Sequence, residues 1–229
     1  MASSLWEVVH KDGERGLRYH LHPGQRAAWD STRRFTFMLA GTQGGKTSFG
    51  PLWLHREIER CGEGDYLAVT STYPLLKLKM LPEFLSFFHN THNLGDWRAG
   101  DMTYVYRGGK TRIIFGSATN PESLESATAK AAWLDEIGQN QFRLESWEAI
   151  LRRLSIHQGR VLAGTTLYNV GWLKQRVYDK WRAGDTDYAV IQFDSITNPA
   201  FPREEHERAK RDLPEWKFNL FYRAQFARP

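Results

Sequence analysis

Residues 40–47 read Ala40-Gly41-Thr42-Gln43-Gly44-Gly45-Lys46-Thr47 and follow an apolar run at 35–39. An apolar strand that leads into a glycine-rich turn ending in Gly-Lys-Thr is typical of a phosphate-binding loop, whose backbone N–H groups surround phosphate oxygens. We expect the whole of 41–47 to contact a nucleotide. The Lys46 ammonium would reach the β- and γ-phosphates of ATP, and the Thr47 hydroxyl would bind Mg²⁺. Ala40 stands six positions before the lysine, where such loops usually begin with glycine.

The composition favours one globular α/β domain. The chain has 229 residues, of which 41% are hydrophobic and 25% charged, and this length leaves little room for a second domain. No apolar run approaches the length of a membrane span, and residues 1–10 lack the pattern of an export signal. The single cysteine, Cys61, suits a reducing compartment. A net charge of +5 mildly favours a polyanionic partner.

Apolar runs alternate with amphipathic stretches along the chain. We predict strands at 35–39, 66–70, 131–134, 160–164 and 188–193, and helices at 46–60, 75–88, 145–154 and 172–182. Pro23 suits the first position of an earlier helix. Residues 101–115 predict a β-hairpin. This order predicts an α/β P-loop NTPase fold, in which a mostly parallel central sheet is flanked by helices on both faces and extended by the hairpin.

Two carboxylates follow the predicted strand at 131–134. Ligands of parallel sheets bind at the carboxyl ends of the strands, so Asp135 and Glu136 would lie near the phosphate loop. Asp135 would hold Mg²⁺, directly or through water, and Glu136 would orient and deprotonate the attacking water. Adjacent Asp and Glu favour hydrolysis over transfer to another substrate. The alternative is an ordinary acidic turn at a strand end.

The strand predicted at 160–164 ends in two threonines. We expect this strand to lie beside the Asp135 strand, with the Thr165 hydroxyl close to the γ-phosphate, where it could sense that group. The alternative is that Thr165 and Thr166 cap the following turn.

These three motifs, in this order, resemble the ATPase motifs of the large terminase subunit of tailed bacteriophages. The segments that carry the resemblance are residues 41–47, 134–136 and 164–166, with support from 69–73, Asn198-Pro199 and 218–226. That family has a Gly-x-x-x-Gly-Lys-[Ser/Thr] loop, which the displaced glycine fits. Gln25 matches the glutamine that contacts adenine in the family and in related helicases. The similarity covers nearly the whole chain.

The resemblance implies an ATP- and Mg²⁺-dependent motor that moves double-stranded DNA into a procapsid. It implies a pentameric ring when assembled on the portal protein, a small terminase subunit as partner, and a monomer in isolation. It places the protein in the cytoplasm of an infected bacterium and outside the mature virion. We expect one ATPase domain over 1–229, with an adenine-contacting N-terminal segment at 1–34 and a helical segment at 200–229. Nuclease activity is not expected, because no carboxylate cluster is evident and the chain ends where the family's nuclease domain would begin. We therefore expect a shortened or naturally ATPase-only form.

The sequence departs from the family in its arginines. Many large terminases carry an arginine inside the phosphate loop, where this chain has Thr42, and some carry one in a Leu-Arg-Gly run that matches Leu124-Glu125-Ser126 here. An arginine on the transferred phosphoryl group commonly raises the rate by orders of magnitude. Arg152 and Arg153 are our candidates for this role; the alternative is the exposed basic end of a helix.

Contacts to DNA phosphates require positive charge without a sequence code. The candidate residues for such contacts are Lys77, Lys79, Arg107, Lys110 and Arg112. Two other functions stay open: a helicase-like translocase, and a nucleotide-binding assembly module that does not hydrolyse ATP. A helicase of that class usually has two motor domains, which this length cannot hold.

Overall fold

The computed structural model describes residues 5–11, 13–120, 128–169 and 171–227. Its centre is an eight-stranded sheet, and a separate two-stranded hairpin lies near the N-terminus. The strands are β1 (Trp6–Lys11), β2 (Glu14–Tyr19), β3 (Phe35–Ala40), β4 (Gly64–Thr70), β5 (Gly95–Arg98), β6 (Thr103–Tyr106), β7 (Thr111–Ser117), β8 (Ala129–Asp135), β9 (Arg160–Thr165) and β10 (Tyr188–Phe193).

Helices connect most of the parallel strands. They are α1 (Pro23–Asp30), α2 (Lys46–Cys61), α3 (Tyr73–Leu75), α4 (Leu81–Leu85), α5 (Leu144–Leu154), α6 (Asp179–Arg182), α7 (Arg203–Asp212) and α8 (Glu215–Phe221). The π-helical turns Leu76–Met80 and Ser86–Thr91 join α3 and α4 into one helical segment over 73–91, and the π turn Lys174–Tyr178 precedes α6.

The sheet is buried on both faces. All six residues of β3 are buried, and successive side chains of this strand enter two different hydrophobic clusters, because side chains alternate across a strand. Phe37 packs in the cluster that contains α5 residues such as Ile150. Met38 packs in the cluster that contains α2 residues such as Leu52. Continuous apolar runs are therefore needed in the central strands.

The strand order β10-β3-β9-β8-β4-β7-β6-β5 positions the site. The first six strands in this order are parallel, so their carboxyl ends meet at one edge. β9 lies between β3 and β8, with Leu39 opposite Thr165 and Asp135 opposite Gly164. The end of the phosphate-loop strand and the end of the carboxylate strand are thereby separated by one strand.

The predicted fold class is confirmed, and each predicted strand and helix is present, with ends shifted by a few residues. The hairpin at 101–115 forms as β6 and β7, with Thr103 opposite Ile114. β7 also pairs in parallel with β4, so the hairpin belongs to the main sheet and only β6 and β5 extend it antiparallel. The β1–β2 hairpin and β5 were not predicted.

The domain bounds 1–34 and 200–229 stay predictions. The first segment contains β1, β2 and α1, and the last contains α7 and α8. Among the described residues, no helix combines the length and the apolar character that crossing a bilayer requires.

Gly50 lets α2 lie directly on β8. A Cβ at Gly50 would come within 1.9 Å of Cε2 of Trp133, which is buried. We expect Gly50→Ala to lower the free energy of unfolding by about 1–3 kcal/mol, because overpacking outweighs the helix propensity gained. Chemical denaturation measures this. Gly100→Ala is the control, since a Cβ there meets nothing within 4 Å. A Gly50→Ala protein as stable as the control would contradict this packing.

Candidate nucleotide-hydrolysis site

The phosphate loop is held from outside through its carbonyl groups. Each carbonyl of 41–45 accepts a hydrogen bond from a side chain elsewhere. The pairs are Gly41 O with Lys46 Nζ (3.1 Å), Thr42 O with Ser195 Oγ (2.7 Å), Gln43 O with Asn198 Nδ2 (2.7 Å), Gly44 O with His22 Nε2 (3.0 Å) and Gly45 O with Gln25 Nε2 (2.9 Å). The N–H groups of Gly41, Thr42 and Gly44 donate to backbone carbonyls, so a ligand would meet the other N–H groups of the loop. α2 begins at Lys46, so the N–H groups of its first turn lack helical partners and favour an anion.

His22 connects the start of α1 to the loop. Its Nδ1 accepts hydrogen bonds from the backbone N–H groups of Gly24 and Gln25, so Nε2 carries the proton and donates to Gly44 O. Burial lowers the pKa of His22, which keeps the ring neutral at pH 7. The sequence analysis did not identify His22, although its place before Pro23 marks a helix N-cap.

Gln25 is fully buried and uses both ends of its amide within the protein. Its Oε1 accepts from the His22 N–H at 3.2 Å, which completes a capping box, and its Nε2 donates to Gly45 O. The structure thus shows Gln25 positioning the loop. Its contact with adenine stays a prediction.

The segment at the end of α8 accounts for the glycine at position 41. Ala40 is the last residue of β3, and a Cβ at Gly41 would lie 2.0 Å from Tyr222 O. The Thr42 N–H donates to Phe221 O at 2.7 Å. The chain after α8 therefore packs against the loop at Gly41, where a side chain does not fit.

Lys46 is buried at the centre of the site. Its ammonium donates to Ala40 O, Gly41 O and Thr166 Oγ1 at 3.1–3.3 Å. Burial lowers the pKa of Lys46, and the nearby Glu136 and Asp135 oppose this shift. Thr166, rather than Thr165, presents its hydroxyl to Lys46.

Thr165 has a different environment from the one predicted. Its hydroxyl accepts from the Gly138 N–H at 2.9 Å and donates to Thr166 O at 2.8 Å. The side chain is fully buried under the turn that follows β8. The structure thus brings Thr166 rather than Thr165 to the cavity, and the contact of Thr165 with the γ-phosphate stays a prediction that this geometry does not support.

Thr47 and Asp135 meet as predicted. The Thr47 hydroxyl donates to Asp135 Oδ2 at 2.8 Å, and Asp135 Oδ1 is buried with no hydrogen-bond partner in the described structure. A buried carboxylate oxygen without a donor, next to a hydroxyl, fits a hard divalent cation such as Mg²⁺. Burial, with a smaller effect of Glu136, raises the pKa of Asp135 to about 7.

Glu136 turns away from β8 in the left-handed region, with φ 54°. A non-glycine residue pays for this conformation, which is common at functional sites. Its Oε2 accepts from the Tyr168 hydroxyl at 3.1 Å. Burial and the Glu136 charge raise the pKa of Tyr168 to about 12, so this phenol stays a donor. No role for Tyr168 at this site was predicted from the sequence.

These groups surround one cavity of about 420 Å³ at the carboxyl edge of the sheet. Its wall consists of Thr42, Gln43, Gly44, Gly45, Lys46, Thr47, Ser48, Leu78, Lys79, Pro82, Glu83, Glu136, Thr166 and Tyr168. None of the described arginines belongs to this wall.

Arg152 and Arg153 lie far from this cavity. They occupy the last turn of α5, whose final residue, Leu154, accepts a hydrogen bond from the Gly159 N–H just before β9. That position is the amino edge of the parallel strands, opposite the phosphate loop. The prediction that they act on the γ-phosphate is thus wrong within one chain. Residues 124–126, the run that matches the family's Leu-Arg-Gly, lie outside the described residues.

The residues considered for DNA contact lie in four different environments. Arg112 forms a bidentate pair with Asp65, and Lys110 lies 3.4 Å from Glu63. Lys77 lies over the Tyr73 ring. Arg107 lines a separate cavity. Lys79 belongs to the phosphate-loop cavity. The DNA-contacting surface stays a prediction.

Solved structures share this fold. The large terminase ATPase domain of Thermus phage P74-26 is 19% identical, with a TM-score of 0.73 over 91% of this chain and 95% of that one. The large terminase of a thermophilic bacteriophage, in complex with ADP, is 14% identical, with a TM-score of 0.73 over 90% of this chain and 54% of that one. The latter protein is also known with ATP-γ-S.

This chain spans about half of the large terminase that was solved with ADP. The UvsW helicase of bacteriophage T4 is less similar, with 15% identity and a TM-score of 0.51 over 80% of this chain and 63% of that one. No protein-family model and no curated protein sequence matches. At these identities the comparisons establish the fold, and the predicted structural resemblance to large terminase ATPase domains is confirmed.

The raised pKa of Asp135 predicts a pH-dependent stability difference. The folded pKa of about 7 exceeds the ordinary value of 3.8, so the folded state binds more protons than the unfolded state between these values, and the free energy of unfolding falls as pH rises through this window. Asp135→Asn removes the titrating group. Without Mg²⁺, we expect the free energy of unfolding of Asp135→Asn to exceed that of wild type by ~2–4 kcal/mol at pH 8 and by much less at pH 5.

Denaturation in EDTA at the two pH values measures the difference. Asp96→Asn, at an exposed site on β5, is the matched control and should show little pH-dependent difference from wild type. An equal effect of Asp135→Asn at both pH values would contradict the titration.

Proposed function

We propose that this chain is the ATPase domain of a viral DNA-packaging motor, which hydrolyses Mg²⁺–ATP to move double-stranded DNA into a procapsid. The observation that carries the proposal is that Lys46, Thr47 and Glu136 line one cavity, with the Thr47 hydroxyl hydrogen-bonded to Asp135 behind it. The shared fold with large terminase ATPase domains supports it.

The chain's own groups fit the steps of hydrolysis. Loop N–H groups and Lys46 would bind the β- and γ-phosphates. Glu136, oriented by Tyr168, would take a proton from the attacking water. The water oxygen bonds to the γ-phosphorus as the bond to the bridging oxygen breaks, and ADP leaves with that electron pair. Thr166 bonds to Lys46 and is therefore placed to respond to the γ-phosphate.

Thr47 and Asp135 would hold Mg²⁺ at this site. The ion would supply charge neutralisation on the β- and γ-phosphate oxygens. The two residues come from different elements, the first turn of α2 and the end of β8, so the metal position depends on α2 packing against β8.

The proposed partners are double-stranded DNA, the portal protein and a small terminase subunit, with assembly of the chain into a ring. The proposed location is the host cytoplasm during packaging. These proposals rest on the family resemblance. The net charge of +5 is compatible with a DNA partner.

A nucleotide-binding assembly module is the second candidate. It is favoured by one observation: within the described part of the chain, no arginine lines the cavity. ATP turnover measured against protein concentration distinguishes the two. A steep rise in specific activity would indicate that a neighbouring subunit completes the site, and no turnover at any concentration would favour the assembly module. ATP-dependent separation of duplex strands would favour the helicase-like alternative.

Two substitutions separate binding from hydrolysis. Lys46→Ala should lose nucleotide binding, because its ammonium is the central cation of the phosphate loop. Glu136→Ala should keep binding and reduce turnover by about 10²-fold or more, because the water loses its base. Calorimetric titration with ATP-γ-S and steady-state phosphate release measure the two properties. Unchanged affinity in Lys46→Ala would refute the loop assignment, and full activity in Glu136→Ala would refute the role of Glu136.

A further inference from the structure

Lys79 is the second cation of the phosphate-loop cavity. It belongs to the part of the wall that comes from residues 78–83, together with Leu78, Pro82 and Glu83. Its charge contributes to lowering the pKa of Lys46, which places the two ammonium groups within electrostatic reach of each other. Two like charges that share a cavity repel, and a polyphosphate would relieve this repulsion.

The helical segment over 73–91 fixes the position of Lys79. Leu76 and Met80, at the two ends of the π turn, are fully buried in the core. The three residues between them are exposed, and two of these, Leu78 and Lys79, line the cavity. A π turn in an otherwise α-helical segment changes which side chains share a face, and such turns are frequent at functional sites.

The Lys79 ammonium has no anionic partner within the described residues. Among the residues that the structure describes, it forms no ion pair or hydrogen bond, although Glu83 and Glu136 belong to the same wall. By contrast, Lys46 is held by two loop carbonyls and Thr166. Lys79 is therefore available to a ligand in the cavity without breaking an existing contact.

We propose that Lys79 binds the γ-phosphate of ATP from within the same chain and stabilises its charge during hydrolysis. The inference rests on the proposed ATPase function. As the γ-phosphorus transfers to water and the bond to ADP breaks, negative charge is spread over the γ-phosphate oxygens. A lysine supplies a compact positive charge there, in a chain whose loop has Thr42 where many similar proteins have arginine. ADP lacks the γ-phosphate, so Lys79 would favour ATP over ADP.

Lys79→Ala, Lys79→Arg and Lys77→Ala test this role. Lys77 lies in the same π turn but over the Tyr73 ring and outside the cavity wall, so Lys77→Ala is the matched control for lost charge and for folding. Affinities for ATP-γ-S and for ADP are measured by calorimetry with Mg²⁺, and hydrolysis is measured in single turnovers with excess protein.

We expect Lys79→Ala to weaken ATP-γ-S binding about tenfold, to leave ADP binding unchanged, and to slow single-turnover hydrolysis ~100-fold or more. Lys79→Arg should retain most of both properties, and Lys77→Ala should match wild type. Equal loss of ATP-γ-S and ADP affinity, or wild-type behaviour of Lys79→Ala, would overturn the proposal. The proposal would also be overturned if Lys79→Ala and Lys77→Ala lost DNA affinity equally while neither changed nucleotide binding or hydrolysis. That result would place Lys79 on a DNA-binding surface.

The outcomes also separate this inference from the proposed function. If the wild-type protein binds ATP-γ-S but hydrolyses no ATP, the ATPase proposal fails. The ratio of ATP-γ-S to ADP affinity in Lys79→Ala still decides whether Lys79 recognises the γ-phosphate.

Discussion

The site depends on hydrogen bonds that bind the carbonyl groups of the phosphate loop from outside. A loop can present N–H groups to phosphate only if its carbonyls face away, and buried carbonyls require donors. These donors come from distant segments: His22 and Gln25 at the start of α1, and Ser195 and Asn198 after β10. β10 pairs with β3, which brings the latter two beneath the loop. The loop conformation is therefore a property of the whole sheet.

The same edge of the sheet concentrates charges that are costly without a ligand. Lys46 and Asp135 are both buried, and their burial shifts both pKa values toward the neutral forms. Glu136 adds a strained backbone conformation. Preorganised polar groups of this kind reduce stability but do not need to be rearranged when charge develops during a reaction. The large aromatic core on both sheet faces offsets that cost.

The sequence predicted the central sheet because strands buried on both faces are continuous apolar runs. It placed Lys46, Thr47 and Asp135 at one edge of the sheet, because they come at or shortly after the ends of such strands. The donors to the loop carbonyls could not be predicted from the sequence, since Asn198 and Gln43 lie 155 positions apart. The sequence could not show which of Thr165 and Thr166 faces the cavity, because one residue reverses the face on which a side chain lies and the exact strand end is not encoded locally. The Arg152 and Arg153 error was avoidable. In a β–α–β unit the helix returns to the amino edge of the sheet, so the last turn of α5 must lie opposite the ligand edge.

Ligands of parallel sheets bind at the carboxyl ends of the strands, so residues that follow a strand are favoured as ligand contacts. The helical segment at 73–91 begins shortly after β4 ends. A short chain of hydrogen bonds joins that segment to the turn that follows β8. The Gln139 N–H donates to Glu136 O, and the Gln139 side chain accepts from the Ser71 hydroxyl at 2.9 Å. Thr72, the next residue, caps the helical segment through its hydroxyl. The turn that orients Glu136 and the helix that carries Lys79 are thus anchored to each other at the carboxyl ends of β8 and β4. The proposed base for water and the proposed cation for the γ-phosphate therefore follow neighbouring strands, in segments that hydrogen bonds connect.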